Sequence, residues 1–156
     1  MAGVFAGTYA HSLDAKGRVI IPAGYRDKLG SGFTITINST VDALVIYPAE
    51  KWASVYRKLV AVRDTDEVGT DYKRYLVANA QTDVDMDAQG RVLLPINVRE
   101  AVGITREVTF VGMLEYVELW DKDAYAAKTA STRADFTTKR RHVDETYPGK
   151  ENPGSQ

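Results

Sequence analysis

The spacing of apolar and polar positions switches along the chain between a period near two and a period near 3.6. Phe5 to Leu13 reads as a strand running into a tight polar loop, Asp14-Ala15-Lys16-Gly17. Gly17 suits the positive φ that such a loop often demands. Arg18 to Ile21 is a short β-branched strand stopped by Pro22, which has no N–H to offer a ladder. Ala23 to Leu29 predicts one or two helical turns, with Gly30 placed where a C′ residue sits. Phe33 to Ile37 and Leu44 to Tyr47 predict two more strands. Pro48 then opens a helix in the favoured N1 position. In that helix Trp52, Val55, Tyr56 and Leu59 fall at i, i+3, i+4 and i+7, one apolar stripe. Arg63 to Asp71 is a polar connection, and Tyr72 to Ala78 predicts a short helix with Tyr72, Tyr75 and Leu76 on one side.

The same order of elements then begins again. Leu13-Asp14-Ala15-Lys16-Gly17-Arg18-Val19-Ile20-Ile21-Pro22 recurs 73 residues later as Met86-Asp87-Ala88-Gln89-Gly90-Arg91-Val92-Leu93-Leu94-Pro95. Six positions are identical, and three of the other four exchange one aliphatic or Met for another. The match continues through Arg26-Asp27 with Arg99-Glu100 and Gly30 with Gly103. Two β-rich runs follow, Val108 to Val111 and Val117 to Trp120, and Trp52 finds its counterpart in Tyr125. Each copy has only about 45 residues in its β-rich core, too few to bury enough apolar surface alone, so the copies are expected to pack against each other. The resulting division is 5–63, a first repeat with its following helix; 64–78, a connecting segment; 79–140, a second repeat with its following helix; and 141–156, a polar, disordered tail.

Composition removes several classes of chemistry. The 156 residues are 44% hydrophobic and 26% charged, ordinary for a globular protein. There is no cysteine, so disulfides and thiolate chemistry are excluded, and the two histidines, His11 and His142, leave little for a metal site. No metal or cofactor is expected. No apolar stretch approaches the ~20 residues a membrane-spanning helix needs, and the first residues carry no secretory signal, which points to the cytoplasm. Asp83-x-Asp85-x-Asp87 begins like a calcium loop, but Ala88 and Leu94 stand where that loop needs Gly and Glu. No nucleophile elbow, P-loop or dinucleotide fingerprint is present, so an enzyme is not expected.

Gly7-Thr8-Tyr9, the loop from Leu13 to Pro22 with Ala23 and Arg26, the second loop from Asp87 to Pro95 with Arg99-Glu100, and Val111-Gly112 through Val117 to Trp120 together resemble the MraZ family of regulators over residues 5 to 128. The resemblance implies an α+β, β-rich fold. Specifically, it implies a tandem, pseudo-duplicated version of the double swapped-hairpin β-barrel that AbrB-like proteins build from two chains, with short helices and a longer helix after each copy. It also implies a homo-oligomeric ring, found in the cytoplasm with the nucleoid, that binds repeated operator elements in double-stranded DNA upstream of the cell-division and cell-wall gene cluster. In that family the arginine of the Asp-x-x-x-Arg loop is associated with DNA contact, which here places Arg18 and Arg91 in the role. No small-molecule substrate is implied.

Elementary chemistry supports those loops independently. Arginine presents a planar fork that binds phosphate oxygens, or guanine O6 and N7, bidentately. Asp14 and Asp87 orient that fork or accept turn N–H groups, and Gly17 and Gly90 allow close approach of backbone to DNA. Lys16 adds a phosphate charge where the second copy has Gln89. Arg26 and Arg99 stand open between a DNA-facing role and structural pairing. The bland alternative for Asp14/Arg18 and Asp87/Arg91 is a pair of turn-stabilising ion pairs. Lys139 to His142 reads as a solvated helix face before it reads as a phosphate patch. Trp52, Tyr56, Trp120 and Tyr125 belong to the core or to subunit contacts. The net charge of −1 counts against nucleic acid only if the cations are dispersed. A second functional class stays open beside the regulator: a non-catalytic oligomeric interaction module, antitoxin-like or a scaffold, using the same barrel to bind protein.

Overall fold

A computed structural model describes residues 3–149. The chain divides into two compact units, Met1–Lys122 and Asp123–Gln156, and both Asp-x-x-x-Arg loops lie in the first. That unit is α+β. Its strands are β1 (Thr8–Ser12), β2 (Arg18–Ile20), β3 (Phe33–Ile37), β4 (Leu44–Tyr47), β5 (Gln81–Val84), β6 (Arg91–Leu93), β7 (Glu107–Gly112) and β8 (Val117–Asp121). Its helices are α1 (Ala23–Leu29), α2 (Ala49–Val60), α3 (Glu67–Ala78) and α4 (Ile96–Ala101).

Six strands form one antiparallel sheet in the order β1-β7-β8-β4-β3-β5, and β2 pairs with β6 in a separate two-stranded ribbon. The first strand of each sequence copy lies against the third strand of the other: β1 against β7, and β5 against β3. The two middle strands, β4 and β8, meet with Leu44 opposite Leu119. Exchanging the copies therefore returns the same strand order read from the other end. The closed barrel expected from the resemblance is not seen. The sheet is open, with β1 and β5 at its two edges.

Burial explains why the strands sit where they do. All five residues of β3 are buried, and β4 is buried apart from Tyr47, as expected for strands covered on both faces. Phe33, Ile35, Leu44, Val108, Phe110 and Leu119 are fully enclosed in the core they share with Val19, Val92 and Leu94 of the ribbon. Leu59 of α2 and Leu76 of α3 close the core on the helical side. The buried Thr36 hydroxyl donates to the Leu76 carbonyl at 2.8 Å, tying the last turn of α3 to β3.

Three local details differ from the sequence expectations. The helix before the second copy starts at Glu67 rather than Tyr72, because the Asp66 carboxylate accepts the Gly69 N–H at 2.9 Å and caps it. Pro48 is the N-cap of α2, not its first helical residue, since its ψ of 155° is extended. The apolar stripes are narrower than drawn: Trp52 and Val55 pack against the core, but Tyr56, Tyr72 and Tyr75 are exposed.

The second unit consists of α5 (Lys122–Ala134), whose first residue belongs to the first unit, and α6 (Phe136–Thr146), neither with a buried residue. The stretch from 141 onward, expected to be disordered, is helical through Thr146. Lys139–Asp135 at 2.9 Å and Arg140–Asp144 at 3.9 Å supply i,i+4 pairs along α6. The rest of that expected tail beyond 149 lies outside the described residues. Among the described residues no helix is long and apolar enough to cross a membrane, and no cluster of three or more His, Asp or Glu is placed to hold a metal ion.

Candidate functional site

The β2–β6 ribbon and the loops that lead into it carry the candidate site. Each loop is closed by its own aspartate. Asp14 Oδ1 accepts the backbone N–H of Lys16 and of Arg18, both at 2.9 Å, while Oδ2 accepts Arg18 Nε at 2.7 Å. The second loop has the same bonds: Asp87 Oδ1 takes Gln89 N–H at 2.9 Å and Arg91 N–H at 2.8 Å, and Oδ2 takes Arg91 Nε at 2.7 Å. Backbone bonds complete both turns, Gly17 N–H to the Asp14 carbonyl at 3.0 Å and Gly90 N–H to the Asp87 carbonyl at 2.9 Å. Gly17 and Gly90 take φ of 81° and 77°, a conformation that costs any other residue strain.

The aspartates are stronger acids in this setting than a free aspartate is. The Arg18 backbone N–H holds the Asp14 carboxyl below the usual carboxylate range, helped by the Arg18 side chain and the Lys16 N–H and opposed by partial desolvation. Asp87 is lowered in the same way, first by the Arg91 N–H. Such carboxylates fix geometry and do not serve as general acids.

One nitrogen of each guanidinium is thus committed, and the fork points where the turn sends it. Among the described residues neither Arg18 nor Arg91 spends a terminal nitrogen on a hydrogen bond, and the two side chains keep 28% and 30% of their surface exposed. The loops sit at opposite ends of the ribbon, because β2 and β6 run antiparallel with Arg18 opposite Leu93 and Ile20 opposite Arg91. Two further bonds lock each loop to the other copy's strand: Ile21 N–H donates to the Gly90 carbonyl at 2.9 Å, and Leu94 N–H to the Gly17 carbonyl at 3.0 Å.

Arg26 and Arg99, left open between a DNA-facing role and structural pairing, each pair with a backbone carbonyl. Arg26 Nε donates to the Ile21 carbonyl and Arg99 Nε to the Leu94 carbonyl, both at 2.9 Å, so each fastens its helix to the end of the preceding strand. Their guanidinium groups then cover the opposite copy's loop glycine. A Cβ on Gly90 would lie 2.5 Å from Arg26 Cζ, and one on Gly17 would lie 2.8 Å from Arg99 Nη2. The space these glycines leave is filled by protein cations, not held open for a DNA backbone. Each end of the ribbon therefore gathers two guanidinium groups, Arg18 with Arg99 and Arg91 with Arg26. Lys16 is exposed on the first tip.

Two residues went unmarked in the sequence. Ile20 and Leu93 point outward from the ribbon, 43% and 58% exposed, while Val19 and Val92 between the arginines and these aliphatics are buried. Period-two alternation would have found them, since an outward Arg18 forces an outward Ile20. The basic run Lys139 to His142 lies on α6, exposed, in the second unit.

These features define a class: an α+β chain with two matched, aspartate-braced arginine loops at the ends of one small antiparallel ribbon. The chain belongs to the MraZ family. The model of that family, described as "MraZ protein, putative antitoxin-like", matches residues 4–73 and again residues 77–145. A relative from Thermoanaerobacter sp. (strain X514) is 35% identical over 139 residues, 89% of this chain and 96% of its own. One from Acetivibrio thermocellus is 39% identical over 122 residues, 78% of this chain and 84% of its own. A third, from Corynebacterium efficiens, is 38% identical over 133 residues, 85% and 92% of the two chains. All three carry the name transcriptional regulator MraZ.

Proposed function

We propose that this chain is a sequence-specific DNA-binding transcriptional regulator that grips duplex DNA with Arg18 and Arg91. The observation that carries the reading is the matched pair of Asp–Arg clamps, each leaving the terminal nitrogens of its arginine directed outward at an end of one ribbon. Arg26 and Arg99 reinforce the positive charge at those ends and hold the loops in place, and Lys16 adds a phosphate contact on the first. The relatives' name supports the regulatory role. The finer reading is that the protein works as a homo-oligomeric ring, cytoplasmic and nucleoid-associated, on repeated operator elements before the cell-division and cell-wall gene cluster. The exchange of first strands between the copies supports reading the fold as a tandem swapped-hairpin arrangement, open between β1 and β5.

A mobility-shift titration on the DNA immediately upstream of this protein's own gene tests the site. Each well-formed bidentate contact contributes about 1–3 kcal/mol. Arg18→Ala with Arg91→Ala is expected to weaken binding by about 10²-fold or more and to flatten the dependence of affinity on salt. Undiminished operator binding by the double variant would remove these arginines from the interface. A parent chain that binds no duplex while capturing a protein partner would favour the interaction-module class instead.

A further inference from the structure

We propose that the outer face of the β2–β6 ribbon reads thymine methyl groups in the DNA major groove through Ile20 and Leu93, each set beside one of the two gripping arginines. The inference deepens the DNA-binding reading above and rests on it. Val19 and Val92 are 1% and 2% exposed and stand opposite each other, so their neighbours on both strands must face out. The outer face is therefore a square of four side chains: Arg18 across from Leu93, and Ile20 across from Arg91. Cation and aliphatic alternate both along and across the ribbon.

The two aliphatics recur at matching positions, each across from an arginine, so this face fits a partner with its own alternation of charge and apolar surface. A second copy of the same face would set guanidinium against guanidinium, which opposes close contact. The major groove supplies what is needed. It is about 12 Å wide and admits a two-stranded ribbon, its walls are phosphate, and thymine methyls stand on its floor. Residues two apart on a strand are ~6.8 Å apart, close to two base-pair steps of ~3.4 Å each. A guanidinium and the aliphatic that follows it thus meet bases two steps apart, and the second copy repeats the contact from the other end of the ribbon.

The test uses the full chain and needs no protein variant to begin. A duplex bound by the parent is selected from a random library, then synthesised with thymine or with uracil, which lacks only the methyl group. Losing one buried methyl is expected to weaken binding about threefold to fivefold. Ile20→Ala with Leu93→Ala should bind the thymine duplex correspondingly less well and be indifferent to the uracil exchange, with the salt slope of the parent, because phosphate contacts are untouched. Equal affinity of the parent for both duplexes overturns the proposal while leaving the DNA-binding reading intact. So does a double variant that keeps the parent's sensitivity to uracil, or one whose assembly, read by light scattering, is smaller than the parent's. Recovery of no bound duplex at all sinks the DNA-binding reading itself, and this inference with it.

Discussion

An aspartate 2.7 Å from the arginine proposed to hold phosphate looks self-defeating, because it brings a negative charge toward a negatively charged ligand. The geometry resolves this: one carboxylate oxygen is spent on two backbone N–H groups, and the other takes only Nε, leaving the outer fork available. Asp14→Asn with Asp87→Asn separates the two views. The change moves the net charge from −1 to +1, so simple electrostatics calls for tighter binding. Orientation calls for weaker binding, about tenfold at fixed salt, because the amide nitrogen now faces Nε and the fork loses its anchor. Tighter binding by the double variant in a salt-controlled titration would refute the orienting role. The acid limit has a definite sign. The folded carboxyls are depressed, so their contribution is complete above the unfolded aspartate value of ~3.9 and disappears as pH falls through the folded values. Carboxyl titration by NMR should place both midpoints below that value. Asp14, Arg18 and their counterparts were legible in the sequence because the bonds between them span four residues. The bracing by Arg26 and Arg99 was not, since each covers a loop in the opposite copy, a contact with no local signature.

At the level of elements, the loop glycines couple the two copies. Gly30 and Gly90 both have positive φ, 66° and 77°, but a Cβ on Gly30 meets nothing within 4 Å whereas one on Gly90 meets the Arg26 guanidinium. Gly30→Ala therefore carries only the backbone penalty, on the order of 1–3 kcal/mol, because φ 66° with ψ −150° is a conformation essentially reserved for glycine. Gly90→Ala adds a clash with the Arg26 guanidinium to its own backbone penalty, so Arg26→Ala should recover part of that loss while doing nothing for Gly30→Ala. Urea unfolding of the single and double variants measures this coupling. Additive losses for Gly90→Ala and Arg26→Ala would mean that the guanidinium does not rest on the loop. Strand order within each copy could be read from alternation, and the 73-residue offset held from the first loop to the aromatic of each following helix. Which strand pairs with which could not, because alternation fixes the face of a strand and not its neighbour. Helix starts were missed where a side chain, not a period, sets them, as at Asp66.

For the whole molecule, the difficulty is a net charge of −1 in a protein proposed to bind DNA. Concentrating cations at the two ends of one ribbon gives a single chain only a few phosphate contacts, and a few contacts yield weak, salt-sensitive affinity. On the proposed reading, strength comes from joining several ribbons on one DNA. Linked sites gain ~10²–10⁴ in apparent affinity without any new kind of contact, provided their spacing lets them engage together. On the proposed reading, this charge distribution calls for repeated elements in the operator. Duplexes carrying one, two or three copies of the selected element in helical phase should bind with affinities that climb by at least tenfold per added copy. Shifting one copy by half a helical turn should cancel most of that gain, because the ribbon assigned to it would face the wrong side of the duplex. Affinity that grows only in proportion to the number of elements, indifferent to their phase, would mean that each chain binds alone, and the assembly would have no part in recognition.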